Sequence, residues 1–143
     1  MKNELPRCAC CPIEPQDRLC QKEDGKSPKY CPTLKNEEAI TKSQLELKKP
    51  DLLEFARQAS IQEGEGYGDK DLGYDKVKPI KPRIIETIEF AHKMGFQRLG
   101  FVFCIGLRKE AKVVEKLFAS EGFEVVSVVC KLGRTPKESI GVR

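Results

Sequence analysis

The 143-residue chain is 39% hydrophobic and 34% charged, with no tryptophan and one histidine, a size for one ordinary domain or a small module joined to a modest one. No apolar run approaches the ~20 residues that span a bilayer. The start, "MKNELPRCAC", lacks an apolar signal region, so a cytoplasmic chain with reduced thiols is expected. Residues 1–76 carry 13 Lys+Arg against 15 Asp+Glu, and residues 77–143 carry 13 against 7. That basic excess is too small and scattered for a nucleic-acid surface; it suits a small anionic ligand or an ordinary solvated surface.

Residues 1–35 read as a cysteine-rich module. Five of the seven cysteines fall between Cys8 and Cys31, in a stretch with too few apolar residues to build a core. Cys8 and Cys11 make C-x-x-C, and Cys20 and Cys31 follow. In a reducing compartment such a set is most simply a metal site: two thiolates from a tight turn grip one ion and two more close a tetrahedron. Zinc is the first reading and a [4Fe–4S] cluster the alternative, since four thiolates suit both. Cys10 can replace one ligand or remain a free thiol. Prolines after Cys11 and Cys31 stiffen both knuckles. The competing view is plain reactive or disulfide-forming thiols; the odd number of cysteines argues only against a complete disulfide framework.

Residues 36–63 are expected to be helical. "NEEAITKSQLELKK" opens with an N-cap candidate, Asn36, and two acidic residues. "PDLLEFARQAS" begins at Pro50 and spaces Leu52, Leu53, Ala56 and Ala59 helically, with Gly64 and Gly66 able to end it. Residues 64–82, "GEGYGDKDLGYDKVKPIKP", read as a loop or linker, with Tyr67 and Tyr74 available to pin it.

The clearest pattern is in residues 83–143. "RIIETIEFAHKMG" places Ile84, Ile85, Ile88 and Ala91 on one helical stripe ending at Gly95. "RLGFVFCIG" reads as a buried strand, "LRKEAKVVEKLFASEG" as a helix with Leu107, Ala111, Val114 and Phe118 inward, and "FEVVSVVCKLG" as a second strand. The fold class is therefore α/β: a small parallel βαβ domain behind the cysteine module and its helices. Two strands cannot hide both faces of a sheet, so an incomplete domain, the front part of something longer, is expected.

Cys104 and Cys130 each fall at the C-terminal end of a predicted strand, where open α/β sheets bind ligands. Two roles compete: buried core thiols, or a nucleophile, redox pair or cluster ligands, with Arg108, Lys131 and Arg134 nearby for an anion. His92 reads as a surface residue. There is no dinucleotide fingerprint, and one histidine offers no Ser–His–Asp arrangement.

Together, "CACCP…C…YCP", "RIIETIEFAHKMGFQRLGFVFCIGLRKEAKVVEKLF" and "GFEVVSVVCKLG…PKESIG" resemble an uncharacterised family of predicted metal-binding proteins, domain of unknown function 1847, found chiefly in anaerobic microbes. The resemblance runs over nearly the whole chain. It implies metal binding by Cys8, Cys11, Cys20 and Cys31 and a second thiol-rich region at Cys104 and Cys130; no activity comes with it. Family members usually continue with a further α/β stretch, and Cys10 is an extra thiol. The function expected is metal binding of unknown activity. The alternatives are an iron–sulfur-dependent redox or sulfur-handling enzyme using Cys104 and Cys130, and a zinc module that docks onto a macromolecule.

Overall fold

The computed structural model describes residues 5–73 and 76–142. Tyr74, one of the two expected loop anchors, lies outside the described residues. The chain divides into two compact units between Glu54 and Phe55.

In the first unit, single 3-10 turns at Cys8–Cys10 and Pro15–Asp17 precede a one-turn helix α1 (Pro32–Lys35) and helix α2 (Glu37–Glu46). Helix α3 (Pro50–Glu65) begins here, and the division falls within it. Proline opens α1 and α3 for the same reason: its fixed φ suits the first helical turn, where its missing N–H would have had no partner. Asn36 stands at the N-cap position of α2 but makes no side-chain cap. It is also the C-cap of α1, where its N–H donates to the carbonyl of Pro32 at 3.0 Å, with φ −123° and ψ 39°. No residue between 5 and 54 is buried.

The second unit contains the rest of α3, then a tiny antiparallel pair, β1 (Tyr67–Gly68) and β2 (Lys78–Pro79). The segment expected as a plain loop is thus partly laddered, with the N–H of Ile80 donating to the carbonyl of Gly66 at 2.9 Å. Gly66 is needed there: a Cβ on it would lie 1.9 Å from Oε1 of the buried Glu86. Helix α4 (Arg83–Lys93), strand β3 (Arg98–Phe103), helix α5 (Arg108–Ser120) and strand β4 (Glu124–Val129) follow. The expected βαβ unit is present: β3 and β4 are parallel and in register from Arg98↔Glu124 to Phe103↔Val129.

The core of this unit joins Ile88 and Ala91 of α4 to Phe118 of α5 and to Phe123, with Leu99, Phe101 and Val125 of the sheet packed against them. Burying each large side chain contributes about 1.5–3 kcal/mol. The α4 stripe is the one the sequence predicts, but the α5 stripe starts later. Leu107 is exposed because Ile105–Leu107 form a 3-10 turn and the α-helix opens only at Arg108. His92 is exposed, as expected, and stacks on Phe123 with ring centroids 4.5 Å apart.

Both helices leave in the same way. Gly95 (φ +67°) and Gly122 (φ +90°) adopt the left-handed conformation, and each is followed by phenylalanine. The N–H of Phe96 reaches the carbonyl of Ala91 at 3.0 Å, and that of Phe123 reaches Phe118 at 3.2 Å. The glycine N–H groups donate to His92 and Ala119, completing two Schellman endings. Nothing lies within 4 Å of a Cβ built on Gly122, so the demand is on backbone conformation alone. Gly122→Ala should therefore lower the stability of the second unit by about 1 kcal/mol, and Gly122→Asn by less, in denaturant titrations. Equal costs for the two would show that φ is not the constraint.

Candidate functional site

The cysteine segment is ordered by short backbone turns. The N–H of Cys11 donates to the carbonyl of Cys8 at 3.2 Å, closing the C-x-x-C turn, and that of Cys31 donates to Pro28 at 2.9 Å. Between them, residues 18–26 form a loop closed by a bridge between Arg18 and Lys26. Leu19 N–H donates to Lys26 at 2.9 Å, and Lys26 N–H to Asp17 at 2.7 Å. The Arg18 Nε donates to the carbonyl of Ile13 at 2.8 Å, tying that loop to the chain leaving the first turn. Gly25 permits the closure: a Cβ there would meet backbone atoms of Arg18 and Leu19 at 2.4 Å.

These turns bring Cys8, Cys11, Cys20 and Cys31 to the wall of one cavity of about 140 Å³, together with Arg18 and Thr33. Cys10 does not line it and is exposed. The thiols share a wall without converging on a point: among the described residues no three His, Cys, Asp or Glu side chains are grouped closely enough to hold one ion. Arg18 contributes a positive charge to a wall otherwise rich in sulfur.

Cys31 is the thiol with a defined electrostatic bias. Partial burial pushes it up, but the Thr33 hydroxyl and the backbone N–H groups of Thr33 and Leu34 outweigh that and hold it below the ordinary thiol value. Cys31 occupies the N-cap position of α1, followed by Pro32. Its side chain makes no formed cap on the helix.

At the other end of the chain, Cys104 and Cys130 directly follow β3 and β4, and both are exposed rather than core residues. Arg108 lines a cleft of about 460 Å³ on the α5 side of the sheet with Lys109, Lys112 and Glu115; Lys131 and Arg134 do not join it. Ser127 donates to Glu115 across that cleft at 2.6 Å. No helix among the described residues is long and apolar enough to cross a membrane.

Sequence reasoning did not single out Arg18, Gly25 or Thr33 as parts of a site. Gly25 sits in "EDGK", a turn signal, but its need for close approach depends on Arg18, seven positions earlier. Thr33 was visible only as the residue after a Cys-Pro pair.

The fold and this geometry define a mixed α/β chain with a sulfur-lined cavity near its start and two exposed strand-end thiols. Residues 31–143 match the family described as Protein of unknown function (DUF1847), and the chain belongs to that family. The match is narrower than the resemblance read from the sequence: it starts at Cys31, so Cys8, Cys10, Cys11 and Cys20 precede it. An uncharacterized protein of Methanocaldococcus jannaschii is 48% identical over 52 residues, covering 36% of this chain and 26% of the relative. The chain thus spans about a quarter of the length of that curated relative. No solved structure matches the chain.

Two expectations follow for this segment. Thr33→Val should raise the Cys31 thiol toward its ordinary value and slow its alkylation at neutral pH; an unchanged rate would remove the hydroxyl from the account. The sign for stability follows from the depressed value. The Cys31 contribution is full above the ordinary value of 9.0 and is lost as pH falls through the lowered one. Separately, Gly25→Ala should open the 18–26 loop, because only backbone could give way. Amide exchange at Leu19 and Lys26 should then accelerate, while the second unit keeps its protection.

Proposed function

We propose that Cys8, Cys11, Cys20 and Cys31 bind one metal, zinc in the first instance, and that this metal does for the first unit what a hydrophobic core does for the second. The observation that carries the reading is the arrival of four cysteines, spread over 24 residues, at one cavity in a unit with no buried residue among those described. The donor chemistry fits: four thiolates match a closed structural zinc site. The bias of Cys31 toward thiolate favours the form that metals bind. When bound, the ion supplies a fixed cross-link among four points of the chain, worth on the order of 10 kcal/mol in small modules. Small shifts of the knuckles bring the sulfurs together, since no core resists them.

A [4Fe–4S] cluster is the second reading, favoured by the cavity volume. About 140 Å³ is several times the ~30 Å³ share of a single water, and four cysteines are also the ordinary ligand set of such a cluster. The proposal takes the chain to work in the cytoplasm, where thiols stay reduced. It extends to a small anionic ligand beside α5, where Arg108, Lys109 and Lys112 face a single carboxylate, Glu115.

Protein prepared without oxygen should contain about one zinc per chain and be colourless, as elemental analysis and an absorption spectrum would show. Brown protein containing iron and sulfide would select the cluster instead. Serine at position 8, 11, 20 or 31 should each lower the metal content roughly tenfold or more, while Cys10→Ser leaves it unchanged. Chelation should expose residues 5–54 to proteolysis and spare the second unit. A metal-free preparation with the first unit still protected overturns the proposal.

A further inference from the structure

The parallel ladder ends at Phe103↔Val129, and the next residue on each strand is a cysteine. The chains do not part there. The N–H of Cys130 donates to the carbonyl of Phe103 at 2.8 Å, and Cys104 keeps an extended backbone, with φ −71° and ψ 141°. Cys130 opens the turn that follows β4, and this hydrogen bond holds its backbone against the end of β3, next to Cys104. Neighbouring strands lie about 4.8 Å apart, inside the Cα separation of roughly 4.4–6.8 Å that a disulfide spans. Alternation groups Cys104 with Gly100 and Val102, and Cys130 with Val126 and Val128, on one face of the sheet. It is the face opposite the core residues Leu99, Phe101 and Val125. Both thiols are exposed, so a reagent can reach them.

We infer that Cys104 and Cys130 form a vicinal dithiol that exchanges with disulfide substrates, cycling between two thiols and one intramolecular disulfide. One thiolate attacks a sulfur of the substrate RSSR, forming a mixed disulfide and expelling RS⁻, which takes up the proton released by the attacking thiol. The neighbouring thiolate then attacks the protein sulfur of the mixed disulfide and expels the second RS⁻, protonated in turn. The two cysteines lose two electrons and two protons, and RSSR becomes two RSH. Lys131 and Arg134 follow Cys130 in the chain, which favours a carboxylate-bearing small disulfide over a neutral one. This chemistry is independent of the front metal site, because none of its atoms comes from the first unit.

The test uses the full chain and oxidised glutathione under anaerobic conditions, followed by alkylation of remaining thiols, digestion and mass mapping. Wild type should yield a Cys104–Cys130 cross-linked peptide that a reductant removes. Cys104→Ser and Cys130→Ser should each abolish it and leave the other cysteine glutathionylated, roughly tenfold or more above wild type, because the resolving thiol is gone. Both positions are exposed, and circular dichroism of the variants checks the fold. Wild type in which both thiols are separately glutathionylated, with no cross-linked peptide, overturns the inference. So does a pair of variants whose mixed-disulfide yield stays at the wild-type level.

Discussion

Two left-handed glycines govern the geometry of the second unit. Gly95 and Gly122 turn the chain out of α4 and α5 with the same hydrogen-bond pattern, and each delivers a phenylalanine and then a strand. Identical exits are a reason why β3 and β4 start level: Glu124 N–H meets the carbonyl of Gln97 at 2.9 Å, one step before Arg98 pairs with Glu124. That register puts Leu99, Phe101 and Val125 together on the helix-covered face. It ends at Phe103↔Val129, one residue before Cys104 and Cys130. A residue unable to hold positive φ at either glycine would disturb core and thiol pair together.

The first unit is organised on a different principle. None of its described residues is buried, so the burial term that stabilises the second unit is nearly absent. Order comes from turns, from the Arg18–Lys26 bridge and from proline-started helices. Such interactions contribute about 1 kcal/mol each and do not by themselves overcome the entropy of ordering some fifty residues. The sulfur-lined cavity is where the proposed metal would supply the stronger cross-link, and Cys31 on its wall is held below the ordinary thiol value.

The sheet of the second unit is finished on one face only. Val102 is 74% exposed and Val126 46% exposed on the side away from the core cluster, while parallel strands in α/β proteins are ordinarily covered on both sides. Among the described residues β3 pairs only with β4. The expectation from the strand patterns, that two strands leave a face unhidden, has this structural form.

Much of the second unit was legible because its signals are local. A 3.6-residue apolar period, a β-branched run and a glycine at the end of each helix depend on neighbours within a turn or two, and Ile84, Ile88, Ala91, Ala111 and Phe118 stand where those patterns put them. The alternating strands and their parallel pairing follow from the same arithmetic. Tertiary structure alone decided what rests on distant partners. It cost Leu107 its inward place through a 3-10 turn, and it laddered part of the expected loop. Asn36, shared as the C-cap of α1 and the N-cap position of α2, makes no side-chain cap. Spacing showed that Cys8 and Cys11 share a turn, but not that Cys20 and Cys31 reach the same cavity while Cys10 stays out. That choice depends on Gly25 meeting the backbone of Arg18, a contact between residues with no common periodicity, and no local rule contains it.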